Sequence, residues 1–166
     1  MKKLLDYKKE YDDLCIKHNL SCEAALEHVK IHGVNLVYVM EQTEEICLAA
    51  VKQNGYALQF VKEQTPAICL AAIKQDGRAL QYVKEQTPEI CLAAVNENGY
   101  VLLYVKEQTE EICLASVKND GYALQYVINQ TEEICLAALK QNRNALQYVN
   151  EDLFYRNHKK LIEGLE

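Results

Sequence analysis

The chain has 166 residues, with 18 Lys+Arg against 24 Asp+Glu, 4 His and 7 Cys. Its length suits one compact unit, and an apolar content of 49% is too high for a disordered chain. A net charge of -6 disfavours general nucleic-acid binding, which needs cations to displace counterions from phosphate, and no apolar run approaches the roughly 20 residues that span a bilayer.

Residues 1–20 place Leu4, Tyr7, Tyr11, Leu14, Cys15 and His18 at helical spacing among Lys and Asp, the pattern of an N-terminal capping helix. The opening MKKLLDYKKEYDD carries two leucines and then dense charge, without the apolar stretch of a signal peptide. The expectation is a chain that is not secreted and works in the cytoplasm. Across 15–32, Cys15, His18, Cys22, His28 and His32 form a candidate zinc set, because these are zinc-ligand types at plausible spacings, with His28 and His32 at helical i, i+4. The set matches no known zinc signature as a whole. Substitution in a degenerate repeat accounts for both His28 and His32 and is the favoured reading, so no metal site is expected.

From Thr43 onward one unit, TEEICLAAVKQNGYALQFVKEQ, recurs every 22 residues, opening at Thr43, Thr65, Thr87, Thr109 and Thr131. A worn earlier copy runs from Ser21 to Gln42, so that six copies span 21–152. Thr is suited to cap a helix, Pro66 and Pro88 follow at the first helical position, and the early glutamates face the positive end of the helix dipole. Asn54-Gly55, Asp76-Gly77, Asn98-Gly99 and Asp120-Gly121 mark the helix end, where a glycine can adopt the left-handed closing conformation. The stretch after each glycine, YALQFVKEQ in 56–64, is predicted helical until the next Thr.

ICLAAV is apolar around most of its circumference and needs cover on several sides. Ala57, Leu58 and Val61 form the apolar stripe of the second helix. One 22-residue unit buries too little alone, so the units must stack. The predicted fold is all-α, an α-solenoid of six helix-turn-helix repeats. Residues 153–166, with Phe154, Leu161 and Ile162 among basic residues, read as a C-terminal capping helix.

The units TPEICLAAVNENGYVLLYVKEQ (87–108) and TEEICLAAVKQNGYALQFVKEQ (43–64) resemble the repeat called domain of unknown function 4116. The shared features are the Thr/Pro start, the Ile-Cys-Leu-Ala-Ala core, the Asn-Gly turn and the Ala-Leu-x-Tyr-Val stretch. The resemblance is close over 43–152 and loose over 21–42. It implies a helical repeat protein, frequent in giant viruses and found in protists and some intracellular bacteria, with no assigned chemistry. The last unit departs from the pattern, with Asn142-Arg143-Asn144 in place of the glycine turn.

The repeat cysteines Cys47, Cys69, Cys91, Cys113 and Cys135 are too far apart for a metal pattern and read as small packing residues in a reducing compartment. Tyr38, Phe60, Tyr82, Tyr104, Tyr126 and Tyr148 share one register bordering the apolar stripe. Tyr56, Tyr100 and Tyr122 share another, in which Arg78 and Asn144 replace tyrosine, so the core does not demand a ring there. Leu103 stands where other units have Gln, and Ile128 where most have Lys.

No nucleophile elbow, zinc-protease, dinucleotide or P-loop motif occurs, and no catalytic residue or cofactor is expected. The leading expectation is a non-enzymatic, monomeric module that binds a protein partner, neither nucleic acid nor membrane, through Tyr56, Arg78, Tyr100, Leu103, Tyr122 and Ile128. The rival is a protein that binds or sequesters a small molecule or nucleotide on a Tyr/Arg-lined groove.

Overall fold

The computed structural model describes residues 22–155. The predicted N-terminal cap over 1–20, and all of the C-terminal cap beyond Tyr155, lie outside the described residues; 151–155 is helical. The chain divides into two compact units, Met1–Tyr82 and Val83–Glu166. Among the described residues there is no strand.

Each repeat is a ten-residue α-helix followed by a six-residue 3-10 helix. In the first unit these are α1 (Cys22–Ile31), η1 (Gly33–Tyr38), α2 (Glu44–Gln53), η2 (Gly55–Phe60), α3 (Pro66–Gln75) and η3 (Gly77–Tyr82). In the second they are α4 (Pro88–Glu97), η4 (Gly99–Tyr104), α5 (Glu110–Asn119), η5 (Gly121–Tyr126), α6 (Glu132–Gln141) and η6 (Arg143–Tyr148). Within each unit α-helix packs on α-helix and 3-10 helix on 3-10 helix in sequence order, the arrangement of an α-solenoid.

The starts form as the sequence implies. Thr43, Thr65, Thr87, Thr109 and Thr131 are extended, and each hydroxyl accepts from the backbone N–H three residues on at 3.3 Å. Along the α-helix, Ile46, Cys47, Ala50 and Val51 are buried, and the same four places are buried in the later repeats. Ser116 takes one of those places and donates to the Gly99 carbonyl at 2.8 Å, so its buried hydroxyl is satisfied.

Two sequence expectations require correction. The second helix is neither an α-helix nor continuous to the next Thr. It is a 3-10 helix that stops at Phe60, after which Val61 is extended and 62–63 bends. The glutamines before each Thr satisfy the groups this ending leaves over. The Leu58 carbonyl accepts from Val61 N–H at 3.1 Å and from the Gln64 amide at 3.2 Å, and the Lys62 N–H, which a longer α-helix would send to Leu58, goes to Gln42 at 3.0 Å. Ala57, Leu58 and Val61 are nevertheless buried as the stripe predicts.

The glycines do not close the helix in the left-handed region either. None has positive φ, and Asn54 ends α2 with φ -151 and ψ 112. What excludes a side chain is space. A Cβ on Gly55 would lie 2.7 Å from the Ala72 carbonyl oxygen, and one on Gly121 would lie 2.6 Å from that of Ala138. Arg143 occupies this place in the last repeat, exposed and still at the head of a 3-10 helix.

Candidate functional site

Two sets of side-chain amides link neighbouring repeats through hydrogen bonds. In the first, the glutamine that precedes each Thr reaches forward one repeat. Gln42 donates to the Phe60 carbonyl at 3.0 Å and accepts from Lys62 N–H at 3.0 Å. Gln108 does the same with Tyr126 and Ile128, and Gln130 with Tyr148 and Asn150. In the second ladder, the last residue of the α-helix reaches back. Gln53 accepts from Gly33 N–H at 2.6 Å and donates to the Ile31 carbonyl at 3.1 Å, and Asn119 accepts from Gly99 N–H at 2.9 Å. In sequence these amides resemble ordinary surface polar residues; their recurrence at one fixed place in most repeats, broken at Ile31, Glu97 and Asp152, was the available signal.

The thiols are part of the first ladder. Cys47, Cys69, Cys91, Cys113 and Cys135 are buried, and each Sγ lies 3.6–3.8 Å from the Oε1 of the glutamine five residues earlier. Burial pushes Cys47, Cys91 and Cys113 above the usual thiol range and takes Cys135 to about 11. Glu44 adds to the rise at Cys47 and Glu110 at Cys113, whereas Lys106 offsets part of it at Cys91. Such thiols are protonated and weakly nucleophilic at neutral pH.

Of the candidate zinc set, Cys15 and His18 lie outside the described residues. Cys22 is exposed at the start of α1, His28 is half-buried, and His32 stands beyond the helix end with extended backbone. Among the described residues no group of three or more His, Cys, Asp and Glu is arranged to hold a metal ion.

The six proposed contact residues fall in both units. In the first, Tyr56 packs edge-on to Tyr82 at 5.7 Å, and the Arg78 guanidinium sits 5.8 Å above the Tyr56 ring. Arg78 also grips Asp76 with a shortest contact of 2.8 Å, and that hydrogen bond lowers the Asp76 pKa. The guanidinium is therefore engaged within its own repeat. In the second unit, Tyr100 packs on Tyr126 and Tyr122 on Tyr148, both edge-on, while Asn144 donates to the Tyr122 hydroxyl at 3.4 Å. Tyr100, Leu103 and Ile128 are 36%, 46% and 72% exposed.

Residues three apart on a 3-10 helix share a face, which places Tyr100 and Leu103 together. In four other repeats the residue at the Leu103 place is a glutamine whose amide donates to the carbonyl three residues back, as Gln125 does to Tyr122 at 3.0 Å. Leu103 has no such donor. Lys106 reaches the Lys84 carbonyl at 3.0 Å from the place that Ile128 takes one repeat later. Both substitutions thus exchange a backbone-directed polar group for exposed apolar surface.

The model of a domain of unknown function, DUF4116, matches residues 43–87, 66–108, 87–130 and 109–154. The chain belongs to the DUF4116 family. The overlapping matches each take in about two of the 22-residue units. Comparison with curated proteins and with solved structures gives no match. Among the described residues of this DUF4116 chain no helix is long and apolar enough to cross a membrane.

Proposed function

We propose that this DUF4116 chain is a non-enzymatic protein-binding module that uses the 3-10 edge of its repeats as the contact surface. One observation carries the reading. Of the eight exposed large hydrophobic residues among the described residues, six fall on only three places of the 22-residue unit: Val34, Val37 and Met40 in the first unit, and Tyr100, Leu103 and Ile128 in the second. The other repeats hold Gln, or mostly Lys, at two of these places. Apolar groups gathered where the repeat otherwise keeps polar ones support a role in burying surface against another protein. The aromatic and aliphatic groups would anchor the partner, and the neighbouring Lys and Glu rows would form its polar rim. A monomer acting in the cytoplasm belongs to the same proposal, supported by five buried thiols that suit a reducing compartment.

Affinity capture from the native cell tests this, comparing the full chain with a Leu103→Gln/Ile128→Lys variant and with Tyr100→Ala/Tyr122→Ala. The first variant installs residues that the same positions carry in sister repeats, so it removes the apolar groups without opening the stack. A partner held by the native chain and lost by the first variant supports the proposal; unchanged capture by both variants rules this edge out.

A further inference from the structure

The α-helices of the second unit carry another surface. On α5, Leu114 and Ala115 stay half-exposed while Ile112, Cys113, Ser116 and Val117 are buried. Helical spacing puts Glu110 and Glu111 one turn before this pair and Lys118 and Asn119 one turn after it, all on the same face. Leu92 and Asn96 of α4 and Glu133 of α6 complete the lining of an open groove of about 780 Å³. Its floor is aliphatic, and its two walls differ because the dipole places acids at helix starts and bases at helix ends.

The charge is lopsided. One wall holds Glu110, Glu111 and Glu133, with the Thr131 hydroxyl donating to Glu110 at 3.3 Å. The other holds Lys118 and two amides, and Asn119 is committed within the protein, since it accepts from Gly99 N–H and donates to the Asn96 carbonyl at 2.7 Å. Asn96 occupies the place that is lysine in the neighbouring repeats, at Lys52, Lys74, Lys118 and Lys140. This stretch therefore lacks a cation that the repeat ordinarily supplies, beside three carboxylates and an apolar floor.

We propose that the α4–α6 groove binds a cationic peptide segment of another protein, with aliphatic side chains seated on Leu92, Leu114 and Ala115 and Lys or Arg side chains paired with Glu110, Glu111 and Glu133. The open shape favours an extended chain laid across the helices over an enclosed small molecule. Because this groove and the 3-10 edge share no residue, either can fail without the other.

The probe is a fluorescein-labelled decapeptide of alternating leucine and lysine, titrated with the full chain and read by anisotropy. Saturable binding is expected, weakened at least tenfold in Glu110→Gln/Glu111→Gln/Glu133→Gln and several-fold in Asn96→Lys, a substitution that the repeat already tolerates elsewhere. The charge-matched variant Glu63→Gln/Glu85→Gln/Glu107→Gln, placed in the bends, should bind as the native chain does, and so should Leu103→Gln/Ile128→Lys. Absence of saturable binding, equal weakening by the two glutamate triples, or equal binding of an alternating leucine–glutamate peptide would each overturn the proposal.

Discussion

The side-chain amide of Gln108 donates to the backbone carbonyl of Tyr126, one repeat ahead, at 2.9 Å. The same side chain accepts from Ile128 N–H at 3.0 Å and lies 3.6 Å from the Cys113 thiol. One half-buried residue thus satisfies backbone groups that the 3-10 geometry leaves without helical partners. Gln108→Ala should cost roughly 1 kcal/mol, the net worth of hydrogen bonds whose backbone partners are half-buried or exposed and can turn to water. Gln108→Glu should be no better at pH 7, since a carboxylate still accepts from Ile128 but has no proton to give the Tyr126 carbonyl. Urea melts would show the loss. Hydrogen exchange would place it, with the Ile128 amide losing protection first; an Ile128 amide as protected as before would count against the ladder.

Gly121→Ala should destabilise the chain by roughly 1–3 kcal/mol, the usual cost of forcing atoms into filled space. The added Cβ would lie 2.6 Å from the Ala138 carbonyl oxygen and 2.8 Å from the Gln141 Oε1. If only backbone freedom mattered, the same change would stabilise by about 0.4–1 kcal/mol, because Gly121 does not have positive φ. The two accounts predict opposite signs of the shift in thermal midpoint, so one melting curve separates them.

What the sequence made legible was local or periodic. Thr43 and its equivalents cap helices because the donor they satisfy is three residues away, and the burial of Ile46, Cys47, Ala50 and Val51 follows from helical spacing. What it hid was set by the neighbouring repeat. YALQFVKEQ has the composition of an α-helix, but Gln64 captures the Leu58 carbonyl and spans to Tyr82, and that contact, 18 residues ahead, is invisible in local propensity. The role of Gly55 was misread for the same reason, since the crowding atom belongs to Ala72. Of the contact residues, Leu103 and Ile128 were legible as departures from the repeat. The α4–α6 groove was not, because the apolar run of each α-helix implied cover on several sides without showing which, while Leu114 and Ala115 remain half-exposed.

Leu103→Gln and Ile128→Lys should each leave stability unchanged or raise it by up to about 0.5–1 kcal/mol. The new amide could donate to the Tyr100 carbonyl, as Gln125 does to Tyr122 at 3.0 Å, and the new ammonium could reach a carbonyl one repeat back, as Lys106 does to Lys84. Replacing exposed apolar surface by these groups should also raise solubility. Differential scanning calorimetry and the solubility limit are the measurements. A fall of several degrees in melting temperature would mean that Leu103 and Ile128 serve packing rather than a surface role.

The buried thiols should make the chain lose stability at alkaline pH. An unfolded thiol titrates near 9.0, whereas burial takes folded Cys135 to about 11 and moves Cys47, Cys91 and Cys113 in the same direction. The unfolded chain therefore gives up these protons first. The stabilisation is full below pH 9 and is lost as pH rises toward 11, so melting temperature should fall steadily across that window. Cys22, which is exposed, should react with iodoacetamide at pH 8 at least a hundredfold faster than these four, and urea should abolish the difference. Replacing Cys135 with alanine should reduce the alkaline fall, and comparable labelling of Cys22 and Cys135 in the native chain would show that the thiol ladder opens far more readily than its burial requires.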